Sequence, residues 1–450
     1  MPAEQPLHLR FPPGFRWGVA TSAFQIEGAA FEDGRGESIW DRFCRQPGAI
    51  ADGSHGDVAC DHYHRWESDL DLIASLGLHS YRFSVSWSRV LPDGQGAWNA
   101  RGMAFYDRLV DGLLARGIEP LLTLNHWDLP QALQERGGWG ARDTVQRFVD
   151  YARGVQRQLG DRVKLITTHN EPWVIAMLGH DSGTFAPGLK SRKLAYQVAH
   201  HLLVSHGLAL QAMRADGAKA PLGIVLNMAH TEPATPSAAD AQRVVLDEAL
   251  GRRWYTDALF HGRYPGEALE ALGADAPQVE PGDMAHIQAP MDYLGVNYYS
   301  RHVSSADGSF DPKRSGLPLT AMGWEVCPRG LTELLLTLHR EYTLPPVYIT
   351  ENGAAFDDRL QDGAVHDAER CAYLQSHIAA VADAIARGVP VAGYMVWSLL
   401  DNFEWSSGYA KRFGIVHVDY ASQQRTLKDS ALWYREFVRQ ARAAAAAEAS

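Results

Sequence analysis

Two carboxylates stand where a chain rarely leaves an acid idle. Glu351 ends the run Val347-Tyr348-Ile349-Thr350, and Gly353 follows two positions later. Four apolar or β-favouring residues running into an acid read as a short buried strand that stops at Glu351. Glu171 stands in Thr168-His169-Asn170-Glu171-Pro172, just past a second such run, Val163 to Thr168. An acid at the end of a buried strand is costly unless it is paired or used. Used together, two acids divide the work at an acetal carbon. One protonates the leaving oxygen, and the other lies on the opposite face of an oxocarbenium-like centre. The same residues also fit an ion-pair network inside a barrel, with Arg82 as the partner. Their placement decides between the two.

The chain supplies that placement by alternation. Strands are expected at 16–21, 81–85, 119–124, 163–168, 222–226, 293–296, 347–350 and 393–399. Helical patterns lie between and after them, at 65–76, 103–115, 144–159, 194–215, 238–260, 331–342, 367–387 and 432–446. In the first, Trp66, Leu70, Ile73 and Leu76 share one face before Gly77 stops the helix. Eight strand–helix units indicate a parallel sheet, and eight is the number that closes a (β/α)8 barrel. An open doubly wound sheet would be expected to carry a Gly-rich phosphate turn, and none is found. There is no domain-scale linker, so residues 1–450 are expected to form one catalytic barrel domain. Ser304 to Gly316 reads as a polar surface loop.

In a barrel, the carboxyl ends of the strands converge on one mouth, where activity sits. Gln25 lies past the first strand and Arg82 in the second. His126-Trp127 follow the third and Asn170-Glu171 the fourth. Asn297-Tyr298-Tyr299 follow the sixth, and Glu351 ends the seventh. Trp397 lies in the eighth, with Glu404-Trp405 beyond it. Strands four and seven are expected to face each other. Carboxylates, aromatic walls and amide or imidazole donors together make a sugar-cleaving site.

Composition narrows the partners. A net charge of −11 with pI near 5.9 argues against nucleic acid or an anionic membrane. The 13 Trp are informative, because a flat indole face suits sugar rings as well as cores. Cys44, Cys60, Cys327 and Cys371 match no zinc or C-x-x-C spacing, so buried free thiols are expected. Met1 to Pro13 has no apolar core behind a basic start, and no run of about 18 apolar residues exists. A cytoplasmic location is the default expectation.

Longer motifs carry a family resemblance over nearly the whole chain. Phe15 to Gly28, Tyr81-Arg82-Phe83-Ser84, His126 to Pro130, Thr168 to Pro172, Asn297-Tyr298-Tyr299, Ile349 to Gly353 and Trp397 to Trp405 occur in order. Together they resemble family 1 glycoside hydrolases, the β-glucosidase family. The resemblance implies a retaining double displacement, with Glu171 as general acid/base, Glu351 as nucleophile and carboxyls about 5 Å apart. It implies that Arg82 and the Tyr299 hydroxyl hold Glu351 ionised. It places Gln25, His126, Asn170, Glu404 and Trp405 around the glycone, Asn170 at the 2-hydroxyl and Trp397 under the sugar ring. Trp127, Trp324 and Phe413 are supporting residues, as is Asn297, and Trp173 lines the same mouth. No cofactor and no metal are implied.

The expected substrates are β-glucosides and cello-oligosaccharides, with β-galactosidase and β-fucosidase side activity. Glu404-Trp405 disfavours a phosphorylated-sugar specificity, because a carboxylate there would repel phosphate. Glu171 disfavours a thioglucosidase lacking the acid/base. Asn125 and His180 replace more usual aromatics and are expected to alter the mouth. Two rivals stay open here: a carbohydrate-binding protein without turnover, and a metal hydrolase built on His62-x-His64 or His200-His201. A homo-oligomer is allowed by the sequence.

Overall fold

The computed structural model describes residues 9–449. Most of the Met1 to Pro13 leader expectation therefore lies outside the described residues. Eight parallel strands close into a barrel: β1 Arg16–Ala20, β2 Ser80–Ser84, β3 Glu119–Asn125, β4 Leu165–Asn170, β5 Leu222–Asn227, β6 Tyr293–Asn297, β7 Val347–Asn352 and β8 Val391–Trp397. They pair in sequence order around the ring, and β8 closes on β1 through Arg16↔Gly393 to Ala20↔Trp397. The expected (β/α)8 barrel is the architecture.

The helical layer follows from amphipathic stripes. The helix α1 spans His62–Ser75, α2 Ala100–Ala115, α3 Arg142–Leu159 and α4 Arg192–Ala215. On α3, Val145, Phe148, Val149, Ala152, Val155 and Leu159 are buried, at the three- and four-residue spacing of one helix face. Each large aliphatic or aromatic side chain so covered contributes roughly 1.5–3 kcal/mol. The first turn of α4 is capped, because Ser191 Oγ accepts from the Leu194 N–H at 3.3 Å. Helix α7, Pro328–Glu341, opens on a proline, whose missing N–H would have no helical partner there. Helices α8, Ala368–Ala386, and α9, Asp429–Ala449, complete the wall.

Three expectations change. The single helix read over 238–260 is two, α5 Ala238–Leu250 and α6 Arg252–His261, broken at Gly251 (φ −100, ψ −105). The break lets Trp254 stack on Tyr264 at 3.9 Å and meet Tyr196 edge-on at 4.9 Å, and that aromatic packing outweighs helix continuity. Ser304 is buried rather than part of a loop, because His302–Ser304 pairs with Thr231–Pro233 in a small parallel ribbon. Strands β4 and β7 do not face each other. They stand three places apart in the ring, with β5 and β6 between them.

The barrel interior is packed below the mouth by Leu121, Leu165, Tyr293, Tyr348 and Met395. Arg16 closes the floor against Glu119 (2.6 Å) and the Tyr348 hydroxyl (2.5 Å). Cys44, Cys60, Cys327 and Cys371 are free thiols, the first three buried. No helix among the described residues is long and apolar enough to cross a membrane.

Candidate active site

The site is assembled at the carboxyl ends of the strands. Strand β4 runs two residues further than its apolar run, so Asn170 is its last residue and Glu171 the first beyond it. Strand β7 likewise runs on through Glu351 to Asn352, and Glu351 is the register partner of Asn297 on β6. Both acids are buried.

The two carboxylates have unequal surroundings. Glu351 Oε1 accepts from Arg82 Nη1 at 2.5 Å, and Oε2 accepts from the Tyr299 hydroxyl at 2.7 Å. Burial pushes its pKa up. The Arg82 charge and the Tyr299 hydrogen bond pull against burial without cancelling it. Glu171 has one amide donor, Asn297 Nδ2, at 2.6 Å from Oε1. Burial and then the negative charge of Glu351 drive the Glu171 pKa upward. The acid with the guanidinium favours the charged form, and the acid without it favours the proton.

Amides and an imidazole bind this pair into one network. Asn170 Oδ1 accepts from Arg82 Nη2 (2.7 Å) and from Asn297 Nδ2 (3.1 Å), which fixes the amide orientation. Asn170 Nδ2 therefore donates to His126 Nε2 at 3.2 Å. His126 is neutral, because burial and then the Arg82 charge hold its pKa well below the usual imidazole range. Its Nδ1 is buried and has no hydrogen-bond partner among the described residues. Gln25 Nε2 donates to the Phe403 carbonyl (2.9 Å) and Asn402 Oδ1 (3.0 Å), and lies 3.4 Å from Glu404 Oε2. Burial, then the charge of Glu351, pushes Glu404 up to about 8.

Aromatic rings close the walls. Trp397 ends β8 and lies nearly parallel to His126 at 5.7 Å. Trp405 stands 6.0 Å from His126 and 4.5 Å from Trp127, whose indole N–H donates to the Asn170 carbonyl at 2.8 Å. Trp324, Phe413 and Tyr299 form a second cluster at 5.5–6.2 Å. Each of the fourteen site residues expected from the sequence thus contacts another of the set. Trp173 is half-buried against the main core.

Three of the mouth residues, Trp127 (φ 80), Glu171 (φ 48) and Trp405 (φ 48), have left-handed backbone. That conformation costs a non-glycine residue about 1–2 kcal/mol. It re-aims the side chain where the strand direction would carry it away, and such strain concentrates at functional sites.

Asn125 does not alter the mouth. It pairs in register with His169, and its Nδ2 donates to His169 Nδ1 at 3.0 Å. His169 stacks on Phe148 of α3 and bonds Ser205 of α4. The pair therefore faces the helical layer, because strand side chains alternate and His126 takes the inner side. His180 is held within its own segment, bonding the Ile175 carbonyl at 2.8 Å.

The histidine pairs considered for metal have other partners. His62 bonds Asp69, and His64 bonds Asp61 and Glu32. His200 bonds Tyr264 and Asp283, and His201 bonds the Trp139 carbonyl. Among the described residues, no group of three or more His, Cys, Asp or Glu could hold a metal ion.

Sequence reasoning missed Thr350, whose hydroxyl donates to Asn297 Oδ1 at 2.7 Å. It also missed the roles of Asn352, Tyr373 and Tyr394 behind Glu351. Simple alternation could not have found them: β7 changes register against both neighbouring strands past Ile349, so Thr350 bonds the Asn297 amide at the site while Asn352 turns outward.

Known proteins match nearly the whole chain. The family model described as Glycosyl hydrolase family 1 matches residues 7–443. A 1,4-beta-D-glucan glucohydrolase of Thermotoga neapolitana is 44% identical over 436 residues, covering 96% of this chain and 98% of that protein. A bifunctional beta-D-glucosidase/beta-D-fucosidase of Bifidobacterium breve is 44% identical, covering 95% and 98%. The solved beta-glucosidase from Thermotoga maritima in complex with glucoimidazole superimposes with a TM-score of 0.93. It shares 46% identity and covers 96% of this chain and 99% of its own.

Proposed function

The chain belongs to glycosyl hydrolase family 1, and from that membership we propose a retaining β-glucosidase that removes terminal non-reducing β-D-glucosyl residues from cello-oligosaccharides and aryl or alkyl β-glucosides. The whole barrel serves as one catalytic domain. Glu351 is the nucleophile and Glu171 the general acid/base. The unequal partners of the two acids carry this reading: Arg82 and Tyr299 on Glu351, a lone neutral amide on Glu171.

The mechanism follows from those charges. Glu171 enters protonated and gives its proton to the glycosidic oxygen as the C1–O bond breaks. Glu351 attacks C1 from the opposite face and forms a glycosyl ester, while the aglycone leaves as an alcohol. Esterification removes the negative charge that raised Glu171, so its pKa falls and it becomes a base. It then takes a proton from water, which attacks C1 and frees Glu351. Two inversions give net retention.

The glycone is read by Gln25, His126, Asn170, Glu404 and Trp405, with Trp397 beneath the ring. Buried groups that a wrong sugar leaves unpaired penalise it. β-Galactosidase and β-fucosidase side activities accompany the main one, and the bifunctional Bifidobacterium breve relative supports the fucosidase part. Glu351→Ala tests the assignment. It abolishes turnover, and azide partly restores activity on an activated aryl glucoside with inverted product. Azide product of retained configuration contradicts the nucleophile role.

A further inference from the structure

Behind the nucleophile lies a hydrogen-bonded clamp that reaches through the barrel wall into the helical layer. Glu351 is tied at both ends to the segment 297–299: its carbonyl accepts from the Tyr298 N–H at 3.0 Å, and its carboxylate accepts from the Tyr299 hydroxyl. The next residue, Asn352, is fully buried and faces outward. Its Nδ2 donates to the Tyr298 carbonyl (2.6 Å) and to the Tyr373 hydroxyl (3.1 Å), and its Oδ1 accepts from the Tyr394 hydroxyl (2.5 Å). The Tyr373 hydroxyl in turn donates to the Tyr299 carbonyl at 2.9 Å. Tyr373 belongs to α8. Its ring stacks on His377 at 3.8 Å, and His377 Nδ1 bonds the Tyr373 carbonyl.

We propose that Tyr373 is a positioning residue: with Asn352, it sets where the Tyr299 hydroxyl meets the nucleophile. The inference rests on the reading of Glu351 as nucleophile. Tyr299 stands just beyond the β6 ladder, with no strand bond to fix its backbone. Its carbonyl is anchored by Tyr373, and the Tyr298 carbonyl beside it by Asn352. Both anchors return to the residue that follows Glu351, so donor and acceptor are built on one rigid loop of bonds. A short loop of satisfied buried bonds holds geometry far better than an isolated contact.

The groups facing Glu351 are Arg82 from β2, Glu171 just beyond β4, Asn297 from β6, Tyr299 just beyond it, and Glu404 beyond β8. Tyr373 touches none of their charged atoms, so it acts only through Tyr299. Burial pushes the neighbouring His377 down to about 4.

Tyr373→Phe deletes one hydroxyl and keeps the ring. The expected loss in kcat/KM on p-nitrophenyl β-D-glucopyranoside is about two- to tenfold, the weight of one neutral hydrogen bond. The acid limb of the pH profile moves to higher pH, in the same direction as in Tyr299→Phe. In the double variant Tyr299→Phe/Tyr373→Phe, the second change adds nothing to kcat/KM or to the limb. An acid limb that superimposes on wild type, or losses that multiply in the double variant, overturns the proposal. Should Tyr373→Phe fail to fold, Tyr394→Phe releases Asn352 Oδ1 from the other side and is read in the same way. The Glu351→Ala azide experiment, run alongside, tests the nucleophile assignment separately.

Discussion

Removing the Tyr299 hydroxyl isolates the contribution of one hydrogen bond to the charge on Glu351. In Tyr299→Phe, Oε2 of Glu351 loses its 2.7 Å donor while Oε1 keeps Arg82. Burial already holds the Glu351 pKa above the ordinary carboxylate value, and Tyr299 is one of the groups restraining it. Its loss therefore raises the pKa further. A hydrogen bond to a charged group contributes about 1.5–3 kcal/mol, and one pKa unit corresponds to about 1.36 kcal/mol. The shift is then about one to two units upward. On the proposed roles, kcat/KM of the free enzyme requires Glu351 ionised and Glu171 protonated, so the acid limb reports the lower apparent pKa of the dyad. The expected profile is narrowed from the acid side by about that amount. The assay is kcat/KM for p-nitrophenyl β-D-glucopyranoside across pH, with Tm measured in each buffer to exclude unfolding. An acid limb that stays in place, or moves to lower pH with the fold intact, refutes the account of how Glu351 is held ionised.

Two other perturbations test the frame around the acids. Gly353→Ala puts a Cβ onto the Trp397 carbonyl oxygen; the variant should lose about 1–3 kcal/mol in urea unfolding and raise KM, because Trp397, the proposed platform for the sugar ring, must shift. Lys428→Met strips a cation from the buried cluster of Asp358, Asp367, Asp401, Arg370 and Arg412 that ties the loops after β7 and β8. Leaving carboxylates uncompensated costs about 3–5 kcal/mol. Burial works against the charge of Asp401, yet Lys428, Arg412 and Arg370 hold its pKa below the ordinary range. Its share of stability is therefore present above the unfolded pKa and is lost as pH falls through the folded one. The difference between wild type and variant should be largest near neutral pH and should narrow in acid; a gap that widens in acid contradicts the assigned charges.

The barrel was legible because eight short β-favouring runs alternate with helical stripes, patterns set largely by burial. The convergence of Glu171 and Glu351 was legible from their places at strand ends. What the pattern could not carry was direction. Asn125 is expected at the mouth because it replaces a more usual aromatic of the family pattern, yet strand alternation turns it to His169 and the helices. The left-handed backbone at Glu171, Trp127 and Trp405 has no compositional sign, since none of the three is glycine. The helical pattern at 238–260 runs across Gly251, and it carries no sign of the break beyond which Trp254 stacks on Tyr264. Tyr373 was invisible for a further reason: it belongs to α8, and its partners Asn352 and Tyr299 come from β7 and the segment after β6.

The asymmetry of the two acids extends to single atoms. Thr350 donates to Asn297 Oδ1, so the amide group of Asn297 must point the other way. Both of its hydrogens are then committed, one to Glu171 Oε1 and one to Asn170 Oδ1. An amide N–H can only donate, so Oε1 of Glu171 serves as an acceptor in either protonation state. On the proposed acid/base role, the favoured place for the transferable proton is Oε2, which has no hydrogen-bond donor among the described residues. A neutral donor also lowers the Glu171 pKa far less than a second guanidinium would. Asn297 thus orients Glu171 without ionising it, while Thr350, one residue before Glu351, fixes Asn297. On the proposed roles, the strand that carries Glu351 also biases which oxygen of Glu171 holds the proton.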